Sequence, residues 1–250
     1  MSVKILIGDC REVMPSLGRE QFDACITDPP YGDTSLDWDS RVLGWADELL
    51  PTLKPNASLW VFGSMRFIAP LFETMAELGL TYAQNIVWEK QNGTGFHADR
   101  FRCVHEHAVM WYRGAWANVY KQPQYTNDAR ARTVRRKKRP AHTGHIEASH
   151  YTSVDGGPRL MRSVLKVRNE HGRAIHPTQK PVELLLPLLR FSVPVGGSVI
   201  DPFGGSGSLG IAANVHQCDA TLIELDSSTC AAARRRLACD APLFAEVATA

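Results

Sequence analysis

Four residues, Asp28-Pro29-Pro30-Tyr31, follow the apolar run Ala24-Cys25-Ile26-Thr27. The run reads as a buried strand. Proline lacks a backbone N–H, so two in succession end a strand and stiffen the turn that follows. A carboxylate and an aromatic ring are thereby held on a rigid loop at a strand's carboxyl end, where open α/β sheets bind ligands. A second stretch has the same setting. Asp201-Pro202-Phe203-Gly204-Gly205-Ser206-Gly207-Ser208-Leu209-Gly210 follows the strand-like Ser198-Val199-Ile200 and leads into a helical pattern.

Glycines let that second loop turn sharply and approach a ligand without Cβ interference. Gly205, Gly207 and Gly210 match G-x-G-x-x-G, and Glu224 ends the next strand-like run, where an acid accepts hydrogen bonds from ribose hydroxyls. These features point to an adenosine-bearing cofactor, NAD or S-adenosylmethionine alike. The first loop separates the two. Asp-Pro-Pro-Tyr has no role in hydride transfer, but it suits methyl transfer to an exocyclic amine. The amine of adenine or cytosine is a poor nucleophile because its lone pair is delocalised into the ring. Acceptance of its N–H groups by Asp28 and the Pro29 carbonyl would free that pair. Tyr31 would stack on the base, an interaction worth about 1–3 kcal/mol, and the base must leave the duplex to reach such a pocket. Attack at cytosine C5 would need a thiolate in a Pro-Cys pair, and the sequence has none.

The elements that must position these loops alternate between strand and helix patterns, the signature of an α/β fold. Strands are expected at 4–7, 22–27, 58–63, 82–88, 107–112, 197–201 and 220–225. Helices are expected near 11–17, 43–50, 68–78, 182–191, 208–215 and 227–238. Gly79 fits a helix C-cap, and Pro187 predicts a kink or a break. Asp9 precedes a helix and fits an N-cap. Trp60, Trp88 and Trp111 fall in strand-like runs and read as core. The fold class expected from this alternation is therefore α/β.

The chain's 250 residues carry a net charge of +2, with 44% apolar and 22% charged residues. No apolar run is long enough for a membrane span, and the N-terminus does not read as a signal peptide. The six cysteines form no C-x-x-C pair, so neither a zinc ribbon nor a disulfide framework is expected. No metal site is expected, and a cytoplasmic location follows from the free thiols. The modest net charge hides an asymmetry. Residues 113–173 carry 14 Lys/Arg against 4 Asp/Glu, a net of +10, which leaves 14 against 22, a net of −8, elsewhere. Within it, residues 130–139 hold seven basic side chains: Arg130, Arg132, Arg135, Arg136, Lys137, Lys138 and Arg139. Such a block fits a polyanion, with phosphate contacts supplying affinity rather than sequence reading.

Three segments in order, Asp-Pro-Pro-Tyr at 28–31, His176-Pro177-Thr178-Gln179-Lys180-Pro181 and the glycine loop at 201–207, together with Gly8-Asp9, carry a resemblance. The chain resembles the β class of S-adenosylmethionine-dependent DNA amino-methyltransferases, with catalytic motif, basic insert and cofactor loop in that order. The resemblance implies a circularly permuted seven-stranded Rossmann-like methyltransferase sheet, with the N-terminal strand beside the strand ending at Glu224. It implies three parts: 1–112 and 174–240 as halves of the methyltransferase domain, and 113–173 as a target-recognition insert, with 241–250 a tail. It also implies residue roles. Asp28, Pro29, Pro30 and Tyr31 would form the catalytic clamp. Asp9 and Cys10 would meet the cofactor adenine, and Glu224 with Leu225 its ribose. Asp28, Asp201, Phe203, Gly205, Ser206 and Gly207 would line its remainder. His176, Thr178 and Lys180 would lie toward its carboxylate.

The activity so implied is methylation of adenine N6 in double-stranded DNA by a bacterial or phage-encoded homodimer, with or without a restriction partner. Cytosine N4 is the alternative, tilted against because such enzymes more often carry Ser at the position of Asp28. A DNA-binding regulator without catalysis is a further reading, disfavoured by the intact motifs.

Overall fold

The computed structural model describes residues 2–94, 98–136, 149–170, 172, 174 and 178–240. These fall into two compact units, one of residues 1–122 with 163–250 and one of residues 123–162.

The larger unit is built on an eight-stranded sheet of order β1-β12-β11-β2-β3-β5-β4-β10. The strands are β1 (Val3–Ile7), β2 (Phe22–Thr27), β3 (Leu53–Gly63), β4 (Thr81–Thr94), β5 (Cys103–Tyr112), β10 (Val164–Lys166), β11 (Ser198–Asp201) and β12 (Asp219–Glu224). All neighbours are parallel except β3–β5 and β5–β4. The N-terminal strand lies beside the strand ending at Glu224, with Ile7 opposite Glu224. The expected seven strands are joined by β10, which extends the β4 edge in parallel register.

The strands are apolar on both faces because helices cover both. Alternate side chains sort accordingly. Ala24, Ile26, Trp60 and Phe62 enter one core with α4 (Val182–Ser192), α5 (Ser208–His216) and α6 (Ser227–Asp240). Cys25, Leu59, Val61 and Trp111 enter the other with α1 (Cys10–Val13), α2 (Trp45–Leu49) and α3 (Met65–Glu77). Trp60, Trp88 and Trp111 are all buried.

Two prolines sit inside helices. Pro187 does not divide α4, which runs unbroken from Val182 to Ser192. Pro70 in α3 removes the N–H that would have reached the Arg66 carbonyl. That carbonyl instead accepts from Arg41 Nη2 at 3.2 Å, while Arg41 Nε donates to the Tyr31 carbonyl at 2.9 Å. The gap in one helix thus anchors the loop after β2. Ser64 caps the start of α3, and Gly79, at φ +75°, closes its end as expected.

The smaller unit holds two short antiparallel pairs: β6 (Tyr125–Thr126) with β9 (Arg159–Leu160), and β7 (Arg132–Arg136) with β8 (Ser149–Ser153). It is narrower than the insert expected at 113–173. Residues on either side belong with the larger unit: Val119 is buried in its core, Gln122 N donates to Phe191 O at 2.9 Å, and Trp88 Nε1 donates to Val167 O at 2.8 Å. These strands were not expected, because charge obscures the alternation along them.

Candidate active site

Every parallel strand presents its carboxyl end at one edge of the sheet. Chain order reverses between β2, which leads on to β3, and β11, which leads on to β12. The crevice at such a reversal is where α/β sheets bind ligands. The two motif loops emerge there side by side and are tied together: Thr27 Oγ1 donates to Asp201 Oδ1 at 2.7 Å, and the same oxygen accepts from Phe203 N at 3.0 Å. Burial pushes the Asp201 carboxyl up to about 7, against the pull of these two donors.

The cofactor-type loop is shaped by its glycines. Gly205 and Gly207 take left-handed backbone, at φ +48° and +76°, and Gly207 opens α5. At Gly210 a Cβ would lie 2.8 Å from Val3 Cγ1, so only glycine lets α5 pack this closely on the sheet. Glu224 Oε2 accepts from Gly205 N and Oε1 from Asp226 N, both at 2.9 Å. Each oxygen keeps a second lone pair for another donor. Ser206 is buried, its hydroxyl 3.1 Å from that of Ser208. Arg236 Nη1 on α6 donates to its carbonyl at 3.1 Å, its hydroxyl at 3.2 Å and the Ser208 hydroxyl at 2.9 Å. Phe203 packs edge-on to Trp45 at 5.8 Å, and Leu225 stands 70% exposed.

Gly8 lies at the end of β1, its N–H donating to the Glu224 carbonyl at 3.0 Å. Asp9 caps α1 through Arg11 N at 2.9 Å and pairs with the Arg11 guanidinium, whose hydrogen bonds hold its carboxyl below the usual range. Cys10 is buried, which drives its thiol up to about 12.

The Asp28 loop is braced from behind. Buried Asp39 accepts from the backbone N–H groups of Gly32 at 2.9 Å, Asp33 at 3.1 Å and Thr34 at 2.7 Å. Asp28 Oδ1 accepts from the Tyr31 hydroxyl, and Oδ2 pairs with Lys180 Nζ. The Tyr31 ring tilts at 34° against Phe67, 5.2 Å away. Burial raises the Asp28 carboxyl, and Lys180 opposes that rise. Burial and the neighbouring Asp28 both push the Tyr31 hydroxyl well up, so it stays a donor.

Lys180, expected beside the cofactor carboxylate, has its ammonium on Asp28 and 3.3 Å from Glu106 Oε2. Glu106 Oε1 pairs in turn with Lys90. Neither Glu106 nor Lys90 was foreseen. They lie 78 and 62 positions from Asp28 in no recognisable motif. They arrive because β5 is antiparallel to its neighbours, so its first half reaches the edge where β3 and β4 end, with Trp88 opposite Glu106. Thr178 is exposed and makes contacts of its own. His176 lies outside the described residues.

In the smaller unit Arg130, Arg132 and Arg135 are exposed, with Arg132 and Arg135 on the β7–β8 hairpin and Arg136 at its end. Ser153 Oγ donates to the Arg130 carbonyl at 2.6 Å. Lys137, Lys138 and Arg139 lie outside the described residues.

Comparison with known proteins sharpens the picture. The chain is 26% identical over 235 residues to the type II methyltransferase M.HinfI of Haemophilus influenzae, which covers 84% of this chain. It spans only 61% of that protein's length. Its fold matches the crystal structure of the M1.HpyAVI–SAM complex with a TM-score of 0.66, over 94% of this chain and all of that one, at 23% identity. It matches the cytosine-N4-specific PvuII DNA methyltransferase with a TM-score of 0.68, over 94% of this chain and 86% of that one, at 16% identity. The family model for N6/N4 DNA methylases matches residues 22–235, from the first residue of β2 to the middle of α6, and the chain belongs to that family.

Proposed function

We propose that the protein transfers a methyl group from S-adenosylmethionine to the N6 amine of an adenine flipped out of double-stranded DNA. The observation that carries this reading is the pairing of two loops at one crevice: a rigid Asp-Pro-Pro-Tyr turn after β2, tied through Thr27 to the glycine loop after β11.

The chain's own groups fit the cofactor. Among the described residues, its chain neighbours aside, only the Phe203 carbonyl, at 3.8 Å, lies within 4 Å of where a Cβ on Gly205 would stand, which leaves the backbone open to a ligand. Glu224 retains acceptor capacity for ribose hydroxyls. Gly205, Gly207, Phe203 and Glu224 would hold it, with Asp9 and Cys10 toward its adenine. S-adenosylmethionine, when bound, would supply a methyl group activated on a sulfonium, with a neutral thioether as the leaving group.

Asp28 and the Pro29 carbonyl would accept the two amine N–H bonds and free the nitrogen lone pair. As the nitrogen–carbon bond forms, Asp28 takes the surplus proton. Tyr31, donating to Asp28, would keep the carboxylate aimed while its ring meets the base. The loop's bracing by Asp39 and Arg41 supports such a fixed geometry, which is worth several orders of magnitude in rate.

For DNA, the exposed arginines on the β7–β8 hairpin support phosphate contacts, and a two-stranded ribbon is narrow enough for the major groove. The reading includes a homodimer on a palindromic site and a cytoplasmic setting. Cytosine N4 stands as a second target, since the fold matches a cytosine-N4-specific enzyme and the chemistry is shared. The test is direct: incubate the protein with unmethylated mixed-sequence DNA and S-adenosylmethionine, digest to nucleosides and weigh the products. N6-methyladenine is the expected result. N4-methylcytosine would keep the site and change the base. Bound DNA without any methylated base would overturn the activity.

A further inference from the structure

Two carboxylates and two ammonium groups meet beneath the crevice, more charge than a clamp for one amine requires. Lys180 Nζ pairs with Asp28 Oδ2 and stands 3.3 Å from Glu106 Oε2 and 3.4 Å from the Tyr31 hydroxyl. Lys90 holds the other Glu106 oxygen. Glu106 Oε2 is buried and makes no hydrogen bond among the described residues, and Lys180 is its ion-pair contact. A buried carboxylate oxygen held by an ion pair without a well-aimed hydrogen bond is only partly satisfied. Moreover, each oxygen of the Asp28 carboxylate, which the amine must reach, already accepts one donor, Tyr31 on Oδ1 and Lys180 on Oδ2, so an amine would compete with an ammonium for the second.

Resting on the methyl-transfer reading above, we propose that Lys180 is a two-position ammonium. It caps the Asp28 carboxylate before the amine arrives, and it moves onto Glu106 Oε2 when the amine takes its place, which makes Glu106 and Lys90 positioning residues of the reaction.

The geometry suits a short shuttle. A charged N–H···O bond closes at about 2.8 Å, so Lys180 need move only about 0.5 Å toward Glu106. Its path is lined by the rings of Phe62, Tyr31 and Trp88, with centroids at 5.4, 5.7 and 5.9 Å. Ring faces attract an ammonium without fixing it to one bond direction. Lys90, 4.7 Å over Trp88, anchors the far oxygen and keeps Glu106 in place. The two acids and two bases sum to neutrality, so the move changes no net charge.

The groups that face Asp28 are Lys180 ahead of α4, Tyr31 on its own loop, Glu106 on β5 with Lys90 on β4 behind it, and Asp201 on β11 with Glu224 beyond. Lys180 lowers the Asp28 carboxyl and Glu106 raises it. Loss of either partner should slow the reaction, yet move its acid limb in opposite directions. A mere packing role would not do this, and Lys180→Arg separates a moving ammonium from fixed charges, which would shift the limb alike.

The experiment measures single-turnover methylation by the full chain, with saturating DNA and S-adenosylmethionine, across pH. Glu106→Gln should slow transfer at least about tenfold, with DNA affinity within about twofold, and move the acid limb down. Lys180→Met should slow transfer and move the limb up. A Glu106→Gln rate within about threefold of wild type, or limbs that move together, overturns the proposal. Should Glu106→Gln not fold, Lys180→Arg decides. Its rigid fork would bridge both acids and not shuttle, so the rate should fall about tenfold with the limb unmoved. An undiminished rate overturns the proposal. Wild-type protein that methylates no base overturns the reading beneath it and the proposal with it. Active wild type with indifferent variants overturns the proposal alone.

Discussion

The crevice of the larger unit and the hairpin of the smaller one carry charge in opposite ways. At the crevice, Asp28, Glu106, Lys90 and Lys180 are largely withdrawn from water, and each is held by an opposite charge. On the hairpin, Arg132 and Arg135 are exposed and form no ion pair among the described residues. Buried pairs respond sharply to the loss of one partner, because the other is stranded. Exposed charges act singly and are screened by salt. Chemistry that must aim at one atom needs the first arrangement, whereas contact with a phosphate backbone needs only the second.

The largest effect that would sharpen this contrast is on the clamp. Asp28→Ala should lower methyl transfer at least about a thousandfold, with DNA binding nearly intact. Activity within about tenfold of wild type would break the clamp reading. Next is the cofactor loop. Glu224→Ala frees the N–H groups of Gly205 and Asp226 and removes the proposed ribose acceptor, so calorimetry should show S-adenosylmethionine binding about tenfold weaker or more. Unchanged affinity would place the cofactor elsewhere.

The hairpin should respond more gently. Arg132→Ala with Arg135→Ala should weaken DNA binding at all sequences alike and lower the salt slope by about two, one per lost phosphate contact. An unaltered slope would move the DNA to another surface.

The smallest effect concerns Asp201. Its folded carboxyl titrates at about 7 because of burial, above an unfolded value near about 4. The protonated form is therefore favoured in the fold. Its stabilising contribution is complete below pH about 4 and is lost as pH rises through about 7. Asp201→Asn, neutral throughout, should flatten the change in melting temperature across that window. A profile parallel to wild type would show that Asp201 does not titrate there.

Much of this site was legible along the chain. Two prolines after an apolar run placed the Asp28 loop at a strand end, and β2 ends at Thr27 as expected. The glycines placed the second loop between β11 and α5. The partners Glu106 and Lys90 were not legible, since nothing local marks a glutamate or lysine inside a strand as part of a site. Lys180 stood out along the chain within His176-Pro177-Thr178-Gln179-Lys180-Pro181, yet its partners Asp28 and Glu106 did not follow from that segment. The resemblance set it toward the cofactor, and the structure sets its ammonium on Asp28. Asp9 shows the reverse, with its local role as an N-cap plain from spacing and plain in the structure.

The sequence by itself determined the local geometry: where strands stop, where only glycine fits, which helix Asp9 caps and which family the motif order resembles. Those outcomes depend on backbone sterics and on neighbours a few residues apart. Only the tertiary structure decided which charges meet. The antiparallel course of β5 carries Glu106 to the edge where β3 and β4 end, and the segment before α4 brings Lys180 onto Asp28 across 152 positions. Such pairings depend on strand order and direction, which no short stretch of the chain encodes.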